Sequence, residues 1–110
     1  MKHQKGLSAQ DRSARSRLRQ LLDRADGFIH GSMIRMARRC GNPRCHCAVK
    51  DELHVSWCLG VTEKCRSRMK HIPKVQESTV RRWVRQYQDA RRLLDLMSQE
   101  AWQRLDKDKE

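Results

Sequence analysis

Cys40, Cys45, Cys47 and His54 stand in the stretch CGNPRCHCAVKDELH, residues 40–54. The spacing C-x4-C-x-C-x6-H offers three thiolates and one imidazole, the donor set that a tetrahedral structural zinc site takes. Gly41, Asn42 and Pro43 suit a tight turn after Cys40. Cys45 and Cys47 point the same way across one intervening residue, and His54 opens the next strand. A loop tethered at both ends to a sheet can thus bring four donors onto one Zn2+. Arg38, Arg39 and Arg44 would offset the negative charge of a three-thiolate centre. His46 is the alternative imidazole; His54 is preferred because His46 projects between its two cysteine neighbours.

Two other chemistries compete for the same residues. Thiols that are simply buried need an apolar pocket, which a loop of Lys, Asp and Arg does not offer. A nucleophilic Cys45 or Cys47, activated by His46 or by the nearby arginines, needs a free thiolate. A four-ligand zinc site is closed and has no open position for catalysis. The carboxylates are spread over helix surfaces and the tail, so no enzyme activity is expected.

The elements that must hold this loop follow from periodicity. From Ser8 to about Asp26, Ala14, Leu18, Leu21, Leu22 and Ala25 fall on one helical stripe. Ser8 suits the cap, Asp11 the first turn, and Gly27 a left-handed terminator. After Gly31, Ile34 and Met36 alternate with Arg35 and Ala37, which predicts a half-buried strand. Residues 54–70 read as a hairpin turning around Val61 to Glu63, with Trp57 opposite Ser67 and Val55 opposite Met69. That register puts Arg66, Arg68 and Lys70, joined by Arg35 and Arg39, on the face opposite the apolar residues. It also points Cys58 and Cys65 to opposite faces.

A long helix then begins between Pro73 and Ser78 and runs to about Leu105. Val80, Trp83, Tyr87, Ala90, Leu94, Met97 and Ala101 form a heptad seam, with Arg81, Arg85 and Arg92 as a basic ridge opposite it. The fold class expected is α+β: an N-terminal helix, a small three-stranded antiparallel sheet with a zinc-binding loop, and a long C-terminal helix. It is expected as one zinc-stabilised domain over 1–110, with a basic helix in 1–30, the zinc-bearing sheet in 31–72, the long helix in 73–106 and a charged tail in 107–110.

Charge points to a partner. Lys and Arg number 25 against 13 Asp and Glu, for a net of +12 in 110 residues. Residues 1–50 alone carry 12 basic and 3 acidic side chains. Such an excess favours a polyanion, DNA or RNA, bound through its phosphates. The candidate contacts are Arg12, Arg15 and Arg19 on the first helix, Arg35, Arg39, Arg66, Arg68 and Lys70 on the sheet, and Arg81, Arg85 and Arg92 on the last helix. No helix-turn-helix or zinc-finger pattern is present, whereas a two-stranded ribbon bearing Arg66 and Arg68 would fit a major groove.

The distal part of the last helix is rich in apolar residues, and the first helix is too short to match its whole length. Leu94, Met97, Ala101, Trp102 and Leu105 are therefore expected to meet a second copy or a larger protein. An adaptor docking there without nucleic-acid affinity of its own is the alternative function. Nothing in the sequence has the length of apolar run that spans a membrane, and MKHQKGLSAQ lacks an apolar signal core, so a cytoplasmic setting is expected.

The stretch RRCGNPRCHCAVKDELH, a following aromatic-bearing hairpin and VRRWVRQYQDARRLLDLM together resemble a family of small uncharacterised prokaryotic proteins, a domain of unknown function. Members share a C-G-x-P-x-C-x-C cluster, a later His, a hairpin and an R-x-W-V helix, and some are encoded near transposases. The resemblance covers roughly residues 31–97 and implies that Cys40, Cys45, Cys47 and His54 act as a unit. It supplies no activity; the function expected from charge and the apolar distal helix is that of an accessory subunit or regulator beside a larger nucleic-acid-handling protein of mobile-element type. Val55 and Ser56 stand where the family has Gly-Pro, and GVTEKC lacks its usual Gly-Lys.

Overall fold

The computed structural model describes residues 8–39, 41–45 and 53–108. Helix α1 spans Ala9–Arg24, strands β1, β2 and β3 span Ser32–Arg38, His54–Glu63 and Arg66–Ile72, and helix α2 spans Glu77–Asp108. A turn of 3-10 helix, Lys74–Gln76, leads from Pro73 into α2. The strands form one antiparallel sheet in the order β1-β2-β3. The α+β reading therefore holds, with helix, three-stranded sheet and long helix in the expected order. By internal contacts the chain divides into two compact units, Ile29–Val84 and the flanking segments up to Phe28 and from Arg85 onward.

In the sheet unit, buried Ile72, Val80 and Val84 form a core against which Ile29, Met33 and Leu59 pack. The backbone N–H of Ile29 donates to the carbonyl of Trp83 at 3.2 Å, holding the lead-in to β1 along the first turns of α2. Opposed residues of an antiparallel pair share a face. Pairing Met33 with Leu59, Arg35 with Trp57, Leu59 with Lys70 and Trp57 with Ile72 fixes the core face.

The hairpin departs from expectation. Trp57 opposes Ile72 rather than Ser67, and the tight turn is Lys64-Cys65, with φ of 50° and 63°. Two central residues with positive φ make the two-residue turn whose twist matches the flanking strands. Val61 to Glu63, expected as the turn, belong to β2, as does Gly60. A Cβ there would come within 2.7 Å of Ile34 Cδ1, so the glycine lets that side chain lie across the sheet. The correct register moves Arg66, Arg68 and Lys70 onto the core face. The other face carries Ile34, Met36, Cys58 and Met69 among Ser, Thr, His and Arg38. Cys58 pairs with His71 and Cys65 sits in the turn rather than on a strand, so the expected placing of the two cysteines on opposite strand faces does not apply.

In the second unit, α1 lies antiparallel along the distal part of α2. Asp11, near the start of α1, approaches Arg104 at 3.6 Å, and the carbonyl of Gly27 accepts from Gln86 Nε2 at 2.6 Å. Ala14 and Leu93 are buried between them. Ser8 caps α1 as expected, accepting from the backbone N–H of Asp11 at 2.9 Å. The helix ends at Ala25 in extended conformation, not through a left-handed Gly27, because the next residues turn to meet Gln86.

The first turns of α2 are covered by the sheet. In its distal half the buried residue is Leu93, one position before the expected seam residue Leu94, which is exposed.

Candidate functional site

The turn that delivers Cys45 is written in its residues. Pro43 presets the second position of a β-turn, the backbone N–H of Cys45 donates to the Asn42 carbonyl at 3.0 Å, and the N–H of Arg44 donates to Asn42 Oδ1 at 3.0 Å. Gly41, at φ 80°, supplies the left-handed step before it. His54 is the first residue of β2 and pairs with Arg38, the last of β1. Cys45 and His54 thus meet at the open end of the β1–β2 pair, with Sγ 3.0 Å from Nε2.

That contact bears on a metal. Two ligands on one tetrahedral zinc, with bonds of about 2.3 Å to sulfur and 2.0 Å to nitrogen, stand roughly 3.5 Å apart. The pair would need to open by only about half an ångström. Cys40, Cys47 and the alternative ligand His46 lie outside the described residues. Among the described residues no group of three or more His, Cys, Asp or Glu is placed to hold a metal ion.

The basic residues sort by element. Arg35, Arg66, Arg68 and Lys70 are exposed and share one face of the sheet, as expected of them, but it is the face that α2 partly covers. Core burial ends at Ile72, and the three cations of β3 continue from it toward the hairpin tip. Val61, Thr62 and Glu63 pair with Arg68, Ser67 and Arg66 beyond the last β1 pair, so the tip is a two-stranded ribbon. Arg81 does not lie on a ridge turned away from the core: its guanidinium stacks 4.1 Å from the centroid of the Trp57 ring, on the same sheet face. Arg39 follows β1 and is exposed.

The remaining candidates belong to the helical unit. Arg12, Arg19 and Arg85 are exposed. Arg15 Nε is 2.6 Å from Asp11 Oδ1, and Arg92 is 3.4 Å from Asp89, so both cations already have carboxylate partners. Arg92 also lines a cleft with Arg17 and Arg24, which the sequence reading did not single out. Their shared side became visible only once α1 was laid along α2. Of the proposed partner-binding residues, Leu94, Trp102 and Leu105 are 54%, 65% and 59% exposed, Ala101 is exposed, and Met97 is half-buried.

A family described as a domain of unknown function, DUF6788, matches residues 11–82. The chain belongs to this family. The match takes in most of α1, the whole sheet with its Cys-bearing connection, and the start of α2. No curated protein and no solved structure matches the chain. Among the described residues no helix is long and apolar enough to cross a membrane.

Proposed function

We propose that this DUF6788 chain is a small, basic, zinc-stabilised protein that binds nucleic acid through phosphates. The observation that carries the reading is the gathering of Arg35, Arg66, Arg68, Lys70 and Arg81 on one sheet face that ends in a projecting two-stranded ribbon. The sheet unit, Ile29–Val84, holds 12 Lys and Arg against 4 Asp and Glu. A ribbon of this width fits the major groove of a duplex, and its arginines reach phosphates on either side. DNA and RNA duplexes are both polyanions of the required kind, and A-form RNA would be met by shape and backbone alone.

Zinc held by Cys40, Cys45, Cys47 and His54 serves the fold in this reading. The contact of Cys45 with His54 supports it, because the ion would clip the β1–β2 connection at its base and fix the end of the ladder that carries Arg35. When bound, the ion supplies cross-linking rather than catalysis, and the protein acts as a binding module, not an enzyme. A reducing, cytoplasmic setting keeps such thiolates available. The most fitting role is that of an accessory subunit or regulator beside a larger nucleic-acid-handling protein of mobile-element type. A docking role for distal α2 rests on other residues, Leu94, Trp102 and Leu105, and needs no affinity for nucleic acid.

The test is the salt dependence of binding to a duplex, read by fluorescence anisotropy. Log affinity should fall against log salt by about 0.9 for each phosphate neutralised. Arg66→Ala with Arg68→Ala should flatten the slope by up to about two. Binding that is unmeasurable at low salt, or indifferent to salt, defeats the reading and leaves the adaptor.

A further inference from the structure

The outer side of distal α2 carries a second apolar stripe. Leu94, Ala101, Trp102 and Leu105 are exposed there, whereas the side toward α1 carries Leu93, Leu96 and Arg104. Positions 94, 98, 101 and 105 are spaced four, three and four, the alternation of a heptad seam. An isolated exposed leucine needs no explanation, but two leucines and a tryptophan within 12 residues of one helix face form a patch.

Charge selects what covers it. Residues 1–84 hold 19 Lys and Arg against 7 Asp and Glu, which is the whole of the +12. Residues 85–110 hold 6 of each. This helical segment therefore offers no net attraction to a polyanion. Two copies of so basic a chain can approach on this helix without net repulsion between the segments that touch. The spacing four-three-four reads the same from either end, so an antiparallel copy sets Leu94 against Leu105 and Ser98 against Ala101. A parallel copy would instead set Arg91 against Arg91.

We infer that two copies of the chain associate antiparallel through the outer face of distal α2, with Leu94 and Leu105 in the seam and Trp102 at its border. The inference is independent of nucleic-acid binding. The stripe covers roughly 18 Å of helix. Such an interface is small, and the dimer is a reversible one with Kd of about micromolar order.

Sedimentation equilibrium of the metal-loaded full chain, from about ten-fold below to a hundred-fold above that Kd, tests it. The expected result is a monomer–dimer equilibrium that holds or tightens as salt rises, opposite in sign to phosphate binding. Leu94→Glu and Leu105→Glu should each weaken it at least ten-fold with unchanged helical circular dichroism. Val75→Glu, at a position 88% exposed in the sheet unit, should leave it unaltered. A chain that stays monomeric over the whole range overturns the inference. So does a dimer that survives both glutamates, or one that dissociates as salt rises. Should either glutamate variant lose helix content, Trp102→Ala, at an exposed position, replaces it and should weaken the dimer in the same sense.

Discussion

Asp11 shows how a polar group is held inside this protein. Asp11 is only 1% exposed, yet it satisfies itself: its backbone N–H meets the Ser8 hydroxyl, one carboxylate oxygen takes Arg15 Nε and the other approaches Arg104. It continues the line of the stripe Ala14, Leu18, Leu21, Ala25 by one turn toward the start of α1, so the first-turn acid is also buried. Asp11→Asn should cost about 1–3 kcal/mol in thermal unfolding. Arg15→Gln should cost less, because Arg104 remains and the guanidinium of Arg15 is half in solvent. Equal losses for the two variants would show that the second pair contributes nothing. At the other candidate centre, replacing Cys45 by Ser or His54 by Ala should lower bound zinc well below one per chain after dialysis. Chelation of the wild type should melt the sheet, the metal contributing on the order of 10 kcal/mol to folding. Full zinc retention in both variants would remove these residues from the site.

Among the elements, the β2–β3 turn depends on the backbone conformation of two residues. Lys64 and Cys65 both hold left-handed backbone that side chains with a Cβ adopt at a cost. Cys65→Gly should raise the denaturant midpoint of the protein by the equivalent of about 1 kcal/mol, and Cys65→Val should lower it. A Cys65→Gly variant no more stable than wild type would mean that the turn is not set by these two residues. The same turn shows why parts of the fold were legible and parts were not. Helix α1 was readable because cap, dipole and stripe agree at Ser8, Asp11 and Ala14, and β1 because its alternation begins right after Gly31. The hairpin was misread because the one glycine near the turn serves Ile34 across the sheet, while Lys-Cys gives no hint of positive φ. A shift of an odd number of residues exchanges the faces, which is how Arg66, Arg68 and Lys70 came to be assigned away from the core. Of the candidate site, the pairing of Cys45 with His54 was legible from turn chemistry and the start of β2. The ion pairs of Arg15 and Arg92 and the stacking of Arg81 were not, since each depends on a neighbour that only helix phase or tertiary packing supplies.

At the scale of the molecule, charge and apolar surface are divided between segments, and this division ranks the basic residues. The net positive charge lies in the sheet unit and in the residues up to Phe28, while distal α2 is neutral. Within those regions, a cation already held by a carboxylate neutralises little additional phosphate, because the carboxylate stays beside it and repels the backbone. Arg15 with Asp11 and Arg92 with Asp89 are such cations, whereas no carboxylate within ion-pair distance is seen for Arg66 or Arg68 among the described residues. Each Ala substitution at Arg66 or Arg68 should therefore flatten the salt slope by up to about 0.9, and each at Arg15 or Arg92 by clearly less. The comparison is made on one duplex with all four single variants, with circular dichroism confirming that each is folded. If Arg15→Ala and Arg92→Ala flatten the slope as much as Arg66→Ala and Arg68→Ala do, binding follows overall charge, and the sheet face has no special part in it.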